Sequence, residues 1–411
     1  MKKVALLSLV ASSIVMAGGY KIPENSTNAV ALGAANIAHN HNSADAAYYN
    51  PAKMIFMSSE NHIDANLIYI GLEEAKYEGD VTFNTTPLGS QDIKSETEDF
   101  LIPSLHYVSS SLGKNGARVG MSIVSSGGLS KRWKDSVATM SAEEFSMQTI
   151  EFNPSVAFEL SEKVGIAFGF RAISSSAVAK ATPASNLIYQ DMEGDSLDFG
   201  YNLALAYQPT KELEIGMTYR SKIALTLDGT ADLKYTDLAT GTTVLDGSYD
   251  GAVTLPLPAS FDIAMAYTFS TQTVVEFVYE RTMWSSYKEL NFEYSDPTAE
   301  AIFGSAKDKS WSDANSYRLG ITQKLEDFTV MGGVVIDKSP IPEENIGFEL
   351  PGSDSVSYSL GMRYQVEKNL DLSLAGLYSI HEQRDVENDS LDGSFSGANV
   401  LFISMGVGYR F

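Results

Sequence analysis

The chain has 411 residues, with 29 Lys and Arg against 52 Asp and Glu for a formal net charge of −23, which excludes nucleic acid as a partner because phosphate binding needs a basic surface. Hydrophobic residues make up 44% and aromatic residues 10%, too apolar a mix for a disordered chain, so a folded product is expected. Cysteine is absent, which removes disulfides, thiolate catalysis and thiolate metal sites.

Lys2 and Lys3 precede an apolar run from Val4 to Val15, and Val15 and Ala17 occupy the two positions that a signal cleavage site reads. Residues 1–17 are therefore expected to be an export leader, with the mature chain starting at Gly18. The run is shorter than the roughly 20 residues a helix needs to cross a bilayer, and no later stretch is long and apolar enough to do so. Residues 18–57 are rich in Ala and Asn and show no alternation. A segment of about 40 residues is too small for a core of its own. It is also too apolar for a free tail, so it is expected to bury itself inside whatever the rest of the chain builds.

From about residue 60 the apolar residues recur with period two. Leu197, Phe199, Tyr201, Leu203, Leu205 and Tyr207 share one face, while Asp198, Gly200, Asn202, Ala204 and Ala206 share the other. The same alternation runs from Val356 to Val366 and from Leu401 to Phe411. Short connectors are expected at Gly113 to Gly116, Ser161 to Lys163, Pro209 to Glu212, Ser270 to Gln272, Glu326 with Asp327, and Glu367 to Asn369. Long connectors are expected at residues 77–96, 131–144, 182–195, 228–250, 286–310, 337–354 and 382–394. Six short and seven long connectors separate fourteen strands, and an even count puts both ends of the sheet on the short-turn side.

A soluble sandwich would turn its apolar face inward and use shorter strands. Here the non-apolar face is small and polar, which suits a lumen, with the apolar face against lipid. The expected fold is all-β: a fourteen-stranded antiparallel transmembrane β-barrel over residues 58–411, with residues 18–57 as an N-terminal hatch that plugs it. The location is then the bacterial outer membrane, and a plugged lumen argues for transport of something selected rather than open diffusion.

The run ending Asn50-Pro51-Ala52 resembles the N-terminal hatch of the outer-membrane fatty-acid and hydrophobic-compound transporter family, the FadL/TodX type. Tyr219-Arg220-Ser221-Lys222, Leu255-Pro256-Leu257-Pro258, Trp284-Ser285, Ser316-Tyr317-Arg318, Asp337 to Pro342 and Leu350 to Asp354 are similar to that family's segments, in its order. The closing Tyr409-Arg410-Phe411 is similar to the terminal signal read by the barrel assembly machinery. The resemblance implies a fourteen-stranded barrel with a hatch, and passive uptake of hydrophobic compounds, long-chain fatty acids foremost. Aromatic or aliphatic hydrocarbons are the alternative cargo, and a structural or adhesive barrel with a static plug is the alternative role.

Such cargo needs an apolar groove, because each buried methylene contributes about 0.8 kcal/mol. An ionised head would also need a cation beside it. By alternation Arg171, Arg220, Arg318 and Arg363 point inward, free either to meet a ligand or to pair with acids such as Asp198, Glu214 or Asp262 and hold the plug. The resemblance places the head-group contact on Arg171 or Lys180 and on Lys307 or Lys309. Trp311-Ser312-Asp313 stands where the family carries a lysine close to the strand, which gives uncharged hydrocarbons added weight.

In the third strand, Ser125-Ser126-Gly127-Gly128 interrupts the alternation of Val119, Met121 and Ile123, and glycine there favours a bend. The resemblance implies that a kink at this place opens a lateral exit to the outer leaflet. Ser141 and Glu144 match a helix capping box, so a loop helix presenting Val137, Met140 and Phe145 is expected as a first capture groove. His39 and His41 lack a third ligand, and His106 points into the lumen, so neither a metal site nor a catalytic residue is expected, and no cofactor. Expected partners are the hydrophobic small molecule, outer-membrane lipid and lipopolysaccharide, and the assembly machinery, around a monomer.

Overall fold

A computed structural model of the chain describes residues 18–113, 116–184 and 186–411. The expected leader at residues 1–17 lies outside them, as do parts of the turns at 113–116 and 184–187.

The wall is one antiparallel sheet of eighteen paired segments. Three strands are each split into two segments and one segment is a three-residue flank, so fourteen strands make the wall. In chain order they are β1 His62–Leu72, β2 Glu98–Val108, β3 Arg118–Val124 with Gly128–Arg132, β4 Glu144–Ser161, β5 Val164–Ala184, β6 Ile188–Tyr207 and β7 Leu213–Arg220 with Ile223–Thr236. They continue as β8 Thr243–Leu257 with Ser260–Thr268, β9 Thr273–Thr282, β10 Ala314–Lys324, β11 Phe328–Asp337, β12 Ser355–Glu367, β13 Leu370–His381 and β14 Val400–Arg410. β1 pairs with β14 from His62↔Arg410 to Leu72↔Val400, so the sheet closes on itself without an edge.

The apolar face of each strand looks outward: Leu197 is 61% exposed, Leu360 67% and Met405 57%, values tolerable only against lipid. Both ends of the sheet sit on the short-turn side, where Asn61 and Phe411 exchange backbone hydrogen bonds of 2.9 and 3.1 Å.

Two expectations about the long-loop side need correction. Residues 182–195 and 228–250 are not loops, because β5, β6, β7 and β8 continue through them as paired strands. Their outer residues are polar there, having left the bilayer, so the apolar alternation fades while the ladder does not. The expected capping box also does not form: residues 138–140 make a single 3-10 turn, the Ser141 hydroxyl donates back to the Ala138 carbonyl, and Glu144 begins β4. Glu144 instead accepts from Arg132 at 2.7 Å, which draws it into the sheet.

Residues 18–57 lie within the barrel and are almost wholly buried. Helix α1, Thr27–Leu32, starts at Ser26, whose hydroxyl accepts from the Ala29 N–H, and ends at Gly33 with φ +57°. It packs on β11 so closely that a Cβ on Gly333 would stand 2.4 Å from the Leu32 backbone. Helix α2, Ala46–Tyr49, runs into a 3-10 turn, Pro51–Phe56, capped by Asn50. The Asn50 amide donates to the Ile37 and Leu205 carbonyls at 2.9 and 3.1 Å, tying the Asn-Pro-Ala turn to β6.

Inward-pointing charges fix this segment to the wall by gripping its backbone. Glu276 accepts from the N–H groups of Ile37, Ala38 and His39 at 2.7, 2.7 and 3.0 Å. Arg118 donates to the carbonyls of Met54, Met57, Ser58, Ser109 and Glu60 at 2.7–3.1 Å. Replacing Arg118 by Met orphans the buried Met54, Met57 and Ser109 carbonyls and is expected to cost roughly 3 kcal/mol or more. The expected outcome is a lower thermal midpoint in detergent and new protease cleavage near residues 54–60, with the barrel itself still resistant; an unchanged midpoint contradicts the assignment.

Candidate functional site

β3 is where the wall is incomplete. β2 pairs with β3 only from Leu105 to Val108, against Ile123 to Gly120, so Glu98 to Ser104 have no sheet partner on that side. Further out the two strands are brought back together by the Ser95↔Trp133 bridge and by the Glu96 N–H donating to the Arg132 carbonyl at 2.9 Å. Between these closures lie Ser125, Ser126 and Gly127, followed by Gly128 at the start of the second β3 segment.

The chain's own first described residues occupy this break. Lys21 forms a β-bridge with Gly127, the Ile22 N–H donates to the Ser126 carbonyl at 3.2 Å, and the Gly128 N–H donates to the Tyr20 carbonyl at 2.7 Å. The Ser125 N–H donates to Asn25 Oδ1 at 3.0 Å. Glycine at 127 has a steric reason: a Cβ there would lie 3.2 Å from the Tyr20 carbonyl and 3.1 Å from a Leu257 methyl.

Tyr20 also faces the apolar interior. Its ring packs edge-on against Trp284 with centroids 4.6 Å apart, and Trp311 lies 6.0 Å away. Together with Phe145, Leu255, Tyr287 and Leu350, Tyr20 and Trp311 bound a cavity of about 10 Å³, room for about one water. A second apolar chamber of about 10 Å³, bounded by Met147, Met192, Leu227 and Phe292, shares Phe145 and Leu255 with the first. An elongated apolar molecule enters these chambers only if side chains move, and Tyr20 is the one carried by the segment in the wall break.

Larger hollows exist but have the wrong chemistry for such a molecule. One of about 550 Å³ is lined by Arg132, Glu144, Gln148, Glu193 and Asp195, which alternation puts on the outer face of the wall, beyond Ile150 and Leu197. Another of about 340 Å³ lies at the short-turn end among His39, His41, Lys324, Asp327, Arg363 and Arg410.

The candidate head-group residues are dispersed. Arg171 on β5 is buried and donates twice to Glu151, at 2.8 and 2.9 Å, and once to the Ser221 carbonyl at the β7 kink, at 3.0 Å. Lys180, near the outer end of β5, pairs with Asp191 at 3.0 Å. Lys307 is exposed. Lys309 alone lines the apolar cavity, where it is salt-bridged to Glu349. Lys309 and Lys307 hold the buried Glu349 carboxyl down at about 2, against the burial that opposes ionisation, and burial pushes the neighbouring Tyr287 hydroxyl well above its usual range. Of the loop residues, Phe145 lines both chambers, Val137 packs against the same apolar cluster, and Met140 is half-buried in the 3-10 turn.

Arg220, Arg318 and Arg363 all grip the N-terminal segment. Arg220 lies 3.9 Å over the Tyr48 ring and donates to the Tyr48 carbonyl; Arg318 reaches Glu280 at 3.0 Å and the Gly33 carbonyl at 3.2 Å; Arg363 reaches the His41 carbonyl at 3.2 Å. Glu151, Glu276 and Glu280, the acids that organise this network, were not among those singled out from the sequence. Their inward positions on β4 and β9 were readable from alternation, had the acids been searched for as partners of the arginines. His106 is fully buried between Ser122 and the Asn25 carbonyl, and no group of three or more metal-ligating side chains occurs among the described residues.

Residues 8–411 match the family described as "Outer membrane protein transport protein (OMPP1/FadL/TodX)". The chain is similar to a "Long-chain fatty acid transport protein" of Escherichia coli O6:H1, 25% identical over 82% of this chain and 80% of that one. It is also similar to "Outer membrane protein P1" of Haemophilus influenzae, 22% identical over 90% and 89%. Among solved structures, a Pseudomonas aeruginosa FadL homologue superposes with a TM-score of 0.84 at 19% identity, covering 96% of this chain and 100% of that one. The Ralstonia pickettii toluene transporter TbuX gives 0.70 at 17% identity, over 94% and 98%.

Glu151 neutralises Arg171 and lies 3.4 Å from Arg220, with none of its own surface exposed. Glu151→Gln leaves two buried guanidinium groups short of a counter-charge and is expected to destabilise the folded protein by about 3–5 kcal/mol. Thermal unfolding in detergent checks it, and a midpoint equal to wild type contradicts the role.

Proposed function

The chain belongs to the OMPP1/FadL/TodX family, so it is a β-barrel transport protein of the bacterial outer membrane that takes up hydrophobic compounds, not an enzyme, and we propose that it does so by displacing its own N-terminal segment from the break in β3. In this reading residues 1–17 are the leader, residues 18–57 the hatch and residues 58–411 the barrel, acting as a monomer.

The single observation that carries the mechanism is the double placement of Tyr20. Its carbonyl holds the Gly128 N–H in the wall, and its ring bounds the apolar cavity. Cargo captured near Val137, Met140 and Phe145 moves into the cavity bounded by Phe145 and Leu255 and displaces the Tyr20 ring. The ring takes the Tyr20 carbonyl with it, the pairing at Ser126 and Gly128 opens, and the cargo leaves sideways into the outer leaflet. Lateral exit suits hydrophobic cargo, which enters lipid far more readily than periplasmic water. Each methylene stripped of water on entry contributes about 0.8 kcal/mol, so a long alkyl chain supplies the drive for capture without an energy source. Long-chain fatty acids and hydrocarbons, the cargoes named for similar proteins, both meet this requirement through their tails.

The pairing of the N-terminal segment with β3, the membership of Asn50-Pro51-Ala52 in the buried segment, and the closing Tyr409-Arg410-Phe411 as a signal to the assembly machinery belong to the same proposal. Lipopolysaccharide and outer-leaflet lipid are its surroundings.

The natural chain has no cysteine, so a tether can be placed without interference. Lys21 and Gly127 face each other in a β-bridge, within the reach of a disulfide. The double variant Lys21→Cys with Gly127→Cys is expected to lose at least ten-fold of its uptake of a radiolabelled long-chain compound when oxidised and to recover it on reduction. Equal uptake by the oxidised and reduced forms contradicts displacement of this segment.

A further inference from the structure

The apolar cavity holds one cation, Lys309, and the chain already supplies its counter-charge. Lys309 is 6% exposed, and its ammonium is bridged to Glu349, which lines the same cavity. The Asn345 amide donates to the Lys309 carbonyl at 2.8 Å and holds that stretch of loop in place. With the pair formed, the cavity is electrically neutral. A ligand carboxylate entering it would either displace Glu349 or add a second, uncompensated anion to an apolar enclosure, and both are costly.

One side chain lining the cavity carries a buried polar atom that is still unsatisfied. Trp311 is 2% exposed and lines the cavity, and its indole Nε1–H has no acceptor among the described residues. An indole N–H is a donor only. An acceptor oxygen would satisfy it, and beside the closed Lys309–Glu349 pair an uncharged one costs less than a carboxylate.

We propose that Glu349 is a specificity-determining residue that sets this cavity for uncharged, elongated molecules bearing one acceptor oxygen, such as long-chain alcohols, aldehydes or esters, in preference to fatty-acid carboxylates. The inference rests on the cavity being where cargo binds. Within it, Lys309 and Glu349 close the charge balance, Trp311 reads the oxygen, and Tyr20, Phe145 and Leu255 take the tail. Glu349 stays ionised across the physiological range, since Lys309 and Lys307 hold its carboxyl at about 2.

The test uses three radiolabelled probes of equal chain length, hexadecane, hexadecanol and palmitate, binding at pH 7.5 to immobilised full-length protein in detergent, with protein-free beads as the partition control. Wild type is expected to bind hexadecanol at least ten-fold more tightly than palmitate. Glu349→Gln, which frees Lys309, is expected to tighten palmitate at least ten-fold. Trp311→Phe is expected to weaken hexadecanol several-fold while leaving hexadecane unchanged. Palmitate binding to wild type as tightly as hexadecanol, or a palmitate affinity unmoved by Glu349→Gln, overturns the proposal while bound hexadecane leaves the cavity as the cargo site. Failure of all three probes to bind overturns both. The wild-type ratio decides the matter even where Glu349→Gln does not assemble.

Discussion

In hydrocarbon there is no water to satisfy a free peptide group, so a membrane barrel can interrupt its ladder only where some other part of the chain provides partners. On the β3 side of its break this chain meets that constraint with its own leading residues. The Ser126 carbonyl and the Gly128 N–H, released from the ladder by the bend, are taken up by Ile22 and Tyr20. The break in the wall and the strip that lines its β3 edge are therefore one structure, and the strip carries an aromatic ring that bounds the apolar cavity. Whatever displaces that ring acts on the break.

The rest of the N-terminal segment is held by different means. Arg118, Glu276, Arg318 and Arg363 grip backbone groups from Gly33 to Glu60 through buried and part-buried, charge-assisted hydrogen bonds. Such bonds are roughly twice as strong as neutral ones. The strip at Tyr20–Ile22 is held by β pairing, one ion pair between Lys21 and Glu280, a hydrogen bond from the Tyr20 hydroxyl to the Pro256 carbonyl at 2.5 Å, and packing of the Tyr20 ring on Trp284. The plug body is thus anchored at many points along its backbone, separately from the strip at β3.

How much of this was legible in the sequence depended on what each feature needs. Strand number, closure and orientation follow from period-two alternation and from the contrast between connectors such as Glu326-Asp327 and residues 337–354, because lipid enforces that pattern residue by residue. The continuation of β5 to β8 past the membrane was not legible, since at Asp191, Glu193 and Asp195 the outer face meets water and the alternation disappears while the pairing persists. The Ser141–Glu144 capping signal was outweighed by Arg132, which recruits Glu144 into β4. The Ser125 to Gly128 interruption was visible as a loss of apolar positions. That residues 20–22 fill it was not, because a β-bridge between residues more than a hundred apart leaves no local trace. The charge balance at Lys309 likewise depends on Glu349, forty residues away across a loop, and only the folded chain brings the two together.

The central claim is that the Gly128 amide at the β3 break is protected by the Tyr20 carbonyl and is released by cargo. Hydrogen exchange of the peptide spanning residues 124–130, in lipid nanodiscs with and without a saturating long-chain compound, tests it most directly. The account predicts slow exchange in the unliganded protein and markedly faster exchange at Gly128 with cargo bound, while residues 118–123 stay protected. Equal exchange in the two states would contradict it.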